Sequence, residues 1–189
     1  MSSMSSADFE ARYRADPDPW RYRSSEYERR KYEATLAACG RGQFDSALEL
    51  GGSIGVFSAM LAPRCRSLVT VDAAPTAVRE ARARLRDEPA AEVVLGELPA
   101  VIPVRAYDLV VASEILYYLP LAVLEATLAA LAMRMAPGAR MVAVHWRPGG
   151  PERPFTAAEV HDRLRSQPWL TALTSSPTDE YLLDVLERT

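Results

Sequence analysis

The sequence predicts a doubly wound α/β sheet of seven strands, mostly parallel, closed by a C-terminal antiparallel hairpin and covered by helices on both faces. Three observations carry that expectation. Short apolar runs recur at Ser46–Leu50, Ser67–Val71, Ala91–Leu95, Tyr107–Ala112 and Ala139–Trp146, with helix-favouring stretches at 56–62, 75–87 and 120–135 between most of them; strand, helix, strand repetition is the pattern of a parallel sheet. Pro75 and Pro120 stand where the first turn of a helix tolerates a missing N–H, and Pro137-Gly138 marks a stop before the fifth run. Two further strand-like runs, Trp169–Ser175 and Glu180–Glu187, lie close enough in the chain to pair as a terminal hairpin.

Taken in order, residues 1–23 show no steady period, and Asp16-Pro17-Asp18-Pro19-Trp20 forces an extended or turning path. This arm carries Phe9, Tyr13, Trp20 and Tyr22, aromatic surface that is costly to leave in water, so it is expected to pack as core cover or as a lid over a ligand. Ser25-Glu26-Tyr27-Glu28 has capping-box spacing and predicts a helix over 25–39 that Gly40 ends. The segment Glu97–Ala106, with Pro99 and Pro103, is too short for a long helix, whereas Thr156-Ala157-Ala158-Glu159 is a second capping box opening a helix to about Ser166. The expected organisation is one domain over 1–189: residues 1–40 form an aromatic arm and helix that act as a lid, and 45–189 form the α/β core. Its ligand belongs at the carboxyl ends of the strands, near the switch point.

Composition narrows the function classes. With 49% hydrophobic and 25% charged residues in 189, the chain reads as an ordinary soluble globular protein. No run reaches the roughly 18 apolar residues of a membrane helix, and Met1–Arg14, which includes Asp8 and Glu10, has no signal-like apolar region. A cytoplasmic location is expected. Cys39 and Cys65 form neither a disulfide framework nor a CxxC pair, and His145 and His161 lack metal-ligand spacing, so no metal is expected. The net charge of −3 argues against a nucleic-acid partner. Lys31 is the one lysine among 22 basic residues, a bias that reads as genomic composition.

The stretch Leu48-Glu49-Leu50-Gly51-Gly52-Ser53-Ile54-Gly55 leaves a buried strand and enters a helix. It fails the nicotinamide fingerprint at Ser53 and Val56, and no Gly-Lys-Ser/Thr follows for a P-loop. Asp72 closes the second strand 21 residues after Gly51, where a carboxylate can accept from both hydroxyls of an adenosine ribose; its alternative is a helix N-cap before Pro75. Gly96-Glu97-Leu98 and Tyr107–Glu114 then end the third and fourth strands. With these markers in order, the chain resembles the class I S-adenosylmethionine-dependent methyltransferases, whose acidic-x-Gly-x-Gly-x-Gly motif appears here with Ser53 at the middle glycine. The resemblance implies a Rossmann-like methyltransferase sheet. A narrower resemblance, to the NodS nodulation methyltransferase family, rests on Pro17–Arg23, Tyr27–Tyr32, Gly52-Ser53-Ile54-Gly55, Ser113–Tyr118 and His145-Trp146-Arg147.

What that resemblance implies is N-methylation of a free amine on an amino sugar, in that family a de-N-acetylated chitooligosaccharide, with S-adenosyl-L-methionine as cofactor. Gly51, Gly52 and Ser53 would lie against the methionine part of the cofactor, Asp72 on the ribose, and Ala73, Glu97 and Leu98 about the adenine. Gly55 and Ser113 complete the set, and Arg30 is a candidate to pair the cofactor carboxylate as a planar fork, or else a surface arginine. An ammonium cannot attack a methyl group, so a proton acceptor is wanted near the site. Glu114 or His145 is expected in that role with Tyr117 beside it, while Trp20, Tyr22, Tyr118 and Trp146 shape the acceptor pocket. Glu114 could instead cap a helix or bind the cofactor amino group, His145 could be a satisfied histidine at a strand end, and Trp146 could be core. An O- or N-methyltransferase of another small metabolite and a non-catalytic cofactor-binding protein are the competing readings. A nucleic-acid methyltransferase is disfavoured by the charge and by the absence of an Asn/Asp-Pro-Pro-Tyr/Phe motif at strand four.

Overall fold

In the computed structural model, which describes residues 4–148, 150 and 152–189, the strands join in one seven-stranded sheet. The elements run α1 (Ser6–Ala15), α2 (Glu26–Ala38), β1 (Ala47–Leu50), α3 (Val56–Leu61), β2 (Leu68–Asp72), α4 (Pro75–Arg84), β3 (Ala91–Leu95), β4 (Tyr107–Ser113), α5 (Leu121–Arg134), β5 (Met135–Trp146), α6 (Ala157–Arg165), β6 (Leu170–Ser175) and β7 (Tyr181–Arg188). The sheet order is β3-β2-β1-β4-β5-β7-β6. The first five strands are parallel, and the terminal hairpin docks by its second strand, so that β7 lies antiparallel between β5 and β6. The order reverses between β1 and β4, and there a crevice opens beyond the carboxyl ends of the strands.

Strand β1 shows how the two faces are filled. Leu48 and Leu50 join a core with Leu124, Leu128 and Leu131 of α5 and Val160 and Leu164 of α6. Ala47, one residue out of phase, joins Tyr32 of α2 and Phe57 and Leu61 of α3 on the opposite face. A central strand covered on both sides reads as a continuous apolar run, which is why β1 carried no alternation to read. Glu49 is the exception within that run. It is 3% exposed, and it accepts a hydrogen bond from Ser58 Oγ at 2.5 Å.

The structure corrects the sequence reading in two places. Residues 6–15 form α1 where an irregular arm was expected. Ser5 accepts from the Asp8 N–H and Asp8 accepts from the Ser5 N–H at 2.8 Å, a capping box with Asp in place of the usual Glu. The helix is docked through Glu10, whose carboxylate accepts from the Thr76 N–H at 2.8 Å and the Thr76 hydroxyl at 2.9 Å. It thereby supplies acceptors to the start of α4, where Ala74 has no capping side chain. Second, β5 begins at Met135, directly after α5, and Pro137-Gly138 lies within it rather than ahead of it. Partners jump from Tyr107↔Met135 to Leu109↔Arg140, so the proline without an N–H and Gly138, at φ 76°, sit in a bulge where no ladder bond is required. Cys39 and Cys65 are buried free thiols, and among the described residues no helix is long and apolar enough to cross a membrane.

Burial pushes the Glu49 carboxyl up to about 7, against the Ser58 and Thr70 hydroxyls that lower it. Because the folded value exceeds that of the unfolded chain, the stability Glu49 contributes is complete below about pH 4.5 and is lost as pH rises through 7. Glu49→Gln is expected to flatten that window by about 3 kcal/mol in urea denaturation followed from pH 4.5 to 8; an unchanged slope would refute the assignment.

Candidate active site

A cleft of about 780 Å³ occupies the crevice, bounded by the ends of β1, β2 and β4 below and by the arm above. Its floor is the turn after β1, where Gly51, Ser53 and Gly55 all take left-handed φ values of 71°, 51° and 75°. That path lets both the Gly51 and Gly52 N–H groups bond Val71 O, at 2.9 and 3.0 Å, and turns the Ser53 N–H onto Asp72 Oδ2 at 2.8 Å. Asp72 Oδ1 accepts from the Ala74 N–H at 2.9 Å. Burial raises this carboxyl, and the backbone donors work against that shift. Asp72, Ala73, Glu97 and Leu98 all line the cleft, as do Gly51 and Ser53. Gly52 and Gly55 do not. A Cβ on Gly52 would stand 1.7 Å from Thr70 Oγ1, and one on Gly55 3.1 Å from Ala81 in α4, so the first seats the turn on β2 and the second lets two helices approach.

The arm forms the roof. Trp20 is the hub of the roof, with the rings of Phe9, Tyr13 and Tyr22 at 6.2, 5.4 and 5.8 Å from it, and Phe9 meets Tyr118 edge-on at 4.9 Å. The arm touches the floor at both ends: the Tyr13 hydroxyl is 2.5 Å from Ser53 Oγ, and Ser6 Oγ donates to Glu97 Oε1 at 2.6 Å.

The far wall is the exit of β4, Ser113–Tyr118, all but Leu116 lining the cleft. Glu114 has φ 57°, a conformation rare for a side chain of its size. Four bonds hold it. Its N–H donates to Val144 O at 2.8 Å, its Oε2 accepts from the Tyr117 hydroxyl and from the Trp146 N–H at 3.0 Å, and its Oε1 accepts from Lys31 Nζ at 2.8 Å. Lys31 has a side chain only 2% exposed and is also paired with Glu28 at 2.9 Å. Burial alone would lower the lysine, but Glu114 and Glu28 hold it well above its ordinary value. Arg153 lies over the rings of Tyr117, Trp146 and Tyr118 at 4.4, 4.9 and 5.7 Å.

The family model for Nodulation protein S (NodS) matches residues 5–145, from the cap of α1 into the end of β5. The chain belongs to that family. Nodulation protein S of Rhizobium tropici is 31% identical over 130 residues, covering 68% of this chain and 55% of the relative. That of Bradyrhizobium diazoefficiens is 37% identical over 103 residues, covering 54% and 49%. The chain thus spans about half the length of the curated relatives it matches. Among solved structures, N-methyltransferase NodS from Bradyrhizobium japonicum WM9 in complex with S-adenosyl-L-homocysteine aligns with a TM-score of 0.87 at 23% identity, over 98% of this chain and 99% of that one. A Pseudomonas syringae protein provisionally called a methyltransferase aligns at 0.76 with 37% identity, over 87% and 100%. The fold is that of these methyltransferase structures, as the sequence predicted.

Besides Gly52 and Gly55, two more expected site residues of this NodS-family chain lie outside the cleft. Arg30 is on the solvent side of α2, its side chain 59% exposed and 3.6 Å from Glu26; one position along the helical turn, Lys31 faces the cleft instead. His145 is fully buried behind the wall. Its Nε2 accepts from the Leu116 N–H at 3.2 Å, so that nitrogen carries no proton, and its Nδ1 must donate to His161 Nε2, 3.0 Å away. His161 in turn presents Nδ1 to Asp184 Oδ2 at 2.9 Å, and Arg165 bonds the same carboxylate. Burial, reinforced by His161, lowers His145 well below its ordinary value and keeps it neutral. Its lone pair supports the wall and does not reach an acceptor. The sequence reading gives Glu28, Lys31 and Arg153 no role at the site. The signal for Lys31 was in plain view, as the one lysine in an arginine-rich chain and the member of Tyr27–Tyr32 that a 3.6-residue period puts beside Glu28.

Imidazole ¹⁵N NMR at pH 7.5 is expected to show His145 protonated at Nδ1 and bare at Nε2. His145→Ala, which strands the buried Leu116 N–H, is expected to cost about 1–3 kcal/mol in denaturant titration. The opposite tautomer would sink this account of the wall.

Proposed function

We propose that this chain is a cytoplasmic S-adenosylmethionine-dependent N-methyltransferase acting on a free amine of an amino sugar or related saccharide. The observation that carries the reading is that one cleft joins two compartments. At one end is a carboxylate, Asp72, set beside a left-handed glycine turn at a strand end. At the other is an aromatic enclosure around an ionised pair, Glu114 and Lys31. The first fits a nucleoside: Asp72 keeps acceptor capacity for ribose hydroxyls, Gly51 and Ser53 bring bare backbone to the ligand, and Ala73, Glu97 and Leu98 border the base. Ser113 borders the cleft beside Glu114, and Lys31, engaged with Glu28 and Glu114, is spent on the protein's own carboxylates. The free thiols of Cys39 and Cys65 agree with a reducing compartment.

Bound there, S-adenosylmethionine supplies an electrophilic methyl group on a sulfonium, and the amine lone pair forms the new N–C bond as S–C breaks. The protein's part is placement and electrostatics. Trp20, Tyr22, Tyr118 and Trp146 offer flat apolar faces suited to a sugar ring and exclude water. Tyr117 and Lys31 hold the Glu114 carboxylate in one orientation, where it opposes the positive charge that grows on the attacking nitrogen. An O-acceptor would develop that charge too, but it would leave a buried anionic site with no cationic ground state to bind.

The test is transfer of labelled methyl to a chitooligosaccharide with one free terminal amine and to its fully N-acetylated counterpart. Label on the free-amine member alone is expected. Glu114→Gln is expected to lower kcat by about 10²–10³-fold while S-adenosylhomocysteine affinity by calorimetry stays within about threefold. Label on neither sugar, with the cofactor bound, would overturn the saccharide reading.

A further inference from the structure

The inner face of α2 and the exit of β4 bury three ionised groups together. Lys31 Nζ lies 2.9 Å from Glu28 Oε2 and 2.8 Å from Glu114 Oε1, and the three side chains are 2%, 11% and 14% exposed. Two carboxylates share one ammonium, so the cluster carries a net negative charge, and it borders the cleft. A surplus charge in such a place is costly unless a cation or a proton arrives to meet it.

The two carboxylates are not equivalent. Glu114 is tied by Lys31, Tyr117 and the Trp146 N–H. The Glu28 carboxylate is met by Lys31, whose Nζ lies 3.1 Å from Oε1 and 2.9 Å from Oε2, and by no second donor among the described residues. The neighbouring Tyr27 hydroxyl, in the same wall, is buried and unpartnered. A carboxylate whose one partner is a cation shared with a second carboxylate, in a negatively charged cluster that borders a cavity, is placed to receive a proton.

We propose that Glu28 is the proton acceptor of the reaction and that the methyl acceptor enters as a cationic amine. This deepens the N-methyltransferase reading and rests on it. The substrate R–NH₃⁺ gives one proton to the Glu28 carboxylate; the N–H bond breaks, an O–H bond forms on the carboxylate, and R–NH₂ is left with a free lone pair. The cluster becomes neutral in the same step. When the methylated ammonium product leaves, Glu28 returns the proton to water. The groups that face Glu28 agree with this: Lys31 favours its ionised form, whereas burial, Glu114 and Asp18 of the arm favour the protonated one, and the balance raises its carboxyl. Tyr22, Tyr27 and Tyr32, also near it, are all raised by burial and stay neutral. A carboxyl raised by burial, at the edge of a cleft and among neutral tyrosines, is suited to taking up a proton.

The experiment compares wild type with Glu28→Gln on the free-amine chitooligosaccharide from pH 6.5 to 9.5, with S-adenosylhomocysteine affinity measured in parallel. The variant is expected to lose about 10²-fold or more in kcat/KM near pH 7 and to recover to within about fivefold at pH 9.5, where the amine is neutral in solution and Lys31 keeps its charge. A deficit independent of pH, or no deficit, overturns the proposal. If wild type itself methylates no amine while binding S-adenosylhomocysteine, the function reading has failed instead. Should the variant not bind S-adenosylhomocysteine, wild type answers alone, by calorimetry of the amine binding to the S-adenosylhomocysteine complex at pH 7 in two buffers of different ionisation enthalpy. Retention of the proton on the complex supports Glu28 as its acceptor; release of about one proton per amine overturns it.

Discussion

A single buried ammonium organises the carboxyl edge of this sheet. Lys31, almost without solvent, has to be met by carboxylates, and Glu28 and Glu114 meet it from two different elements. Because Glu114 follows the last residue of β4, that demand pins α2 to the end of the strand and holds Glu114 in its left-handed conformation. The rest of the wall follows from that position. Tyr117 and the Trp146 N–H bond the carboxylate from the other side, so β4, β5 and the short 3-10 turn at Leu116–Tyr118 converge on one side chain.

Behind the wall, the His145–His161–Asp184 chain performs a second fixing of the same turn, from the hairpin side of the sheet. The order β5-β7-β6 makes this possible. With β7 next to β5, Asp184 is paired across from Ala143 and lies within reach of α6. The antiparallel hairpin is therefore more than an edge closure, since it carries the last charge of a buried polar chain whose other end is the Leu116 N–H. This buried polar chain ties the alignment of the cleft wall to the docking of the hairpin.

The arm is held differently. Its attachments are Glu10 on α4, Ser6 on Glu97, Arg12 on Glu152 and Arg23 on Glu80, together with the aromatic row. The ion pairs among these are largely exposed and individually weak, whereas the rings of Tyr13 and its neighbours supply apolar cover. Strong fixation of the wall and weak polar fixation of the roof is the division expected of a site that must admit ligands from one side and align them against the other.

The residues themselves specified most of the architecture. The apolar runs, the proline and glycine punctuation, the Ser25 cap and the Thr156 capping box are local signals, although Glu28 leaves the box expected at Ser25 half made by turning to Lys31; Asp72 and the Gly51–Ser53 turn follow because a strand end and a tight turn are local too. Even α1 was legible in Ser5 and Asp8, had Asp been accepted in place of Glu. What sequence spacing could not decide was which polar groups meet. Arg30 and Lys31 are adjacent in the chain, yet the first is exposed and the second buried at the cleft, and His145 is at a strand end yet points into the core. The pairing of Lys31 with a carboxylate 83 positions later exists only once α2 meets the exit of β4. Periodicity and turn chemistry act over a few residues and are written in the sequence; desolvation and charge pairing depend on distances of a few ångströms in space, and only the tertiary structure sets those.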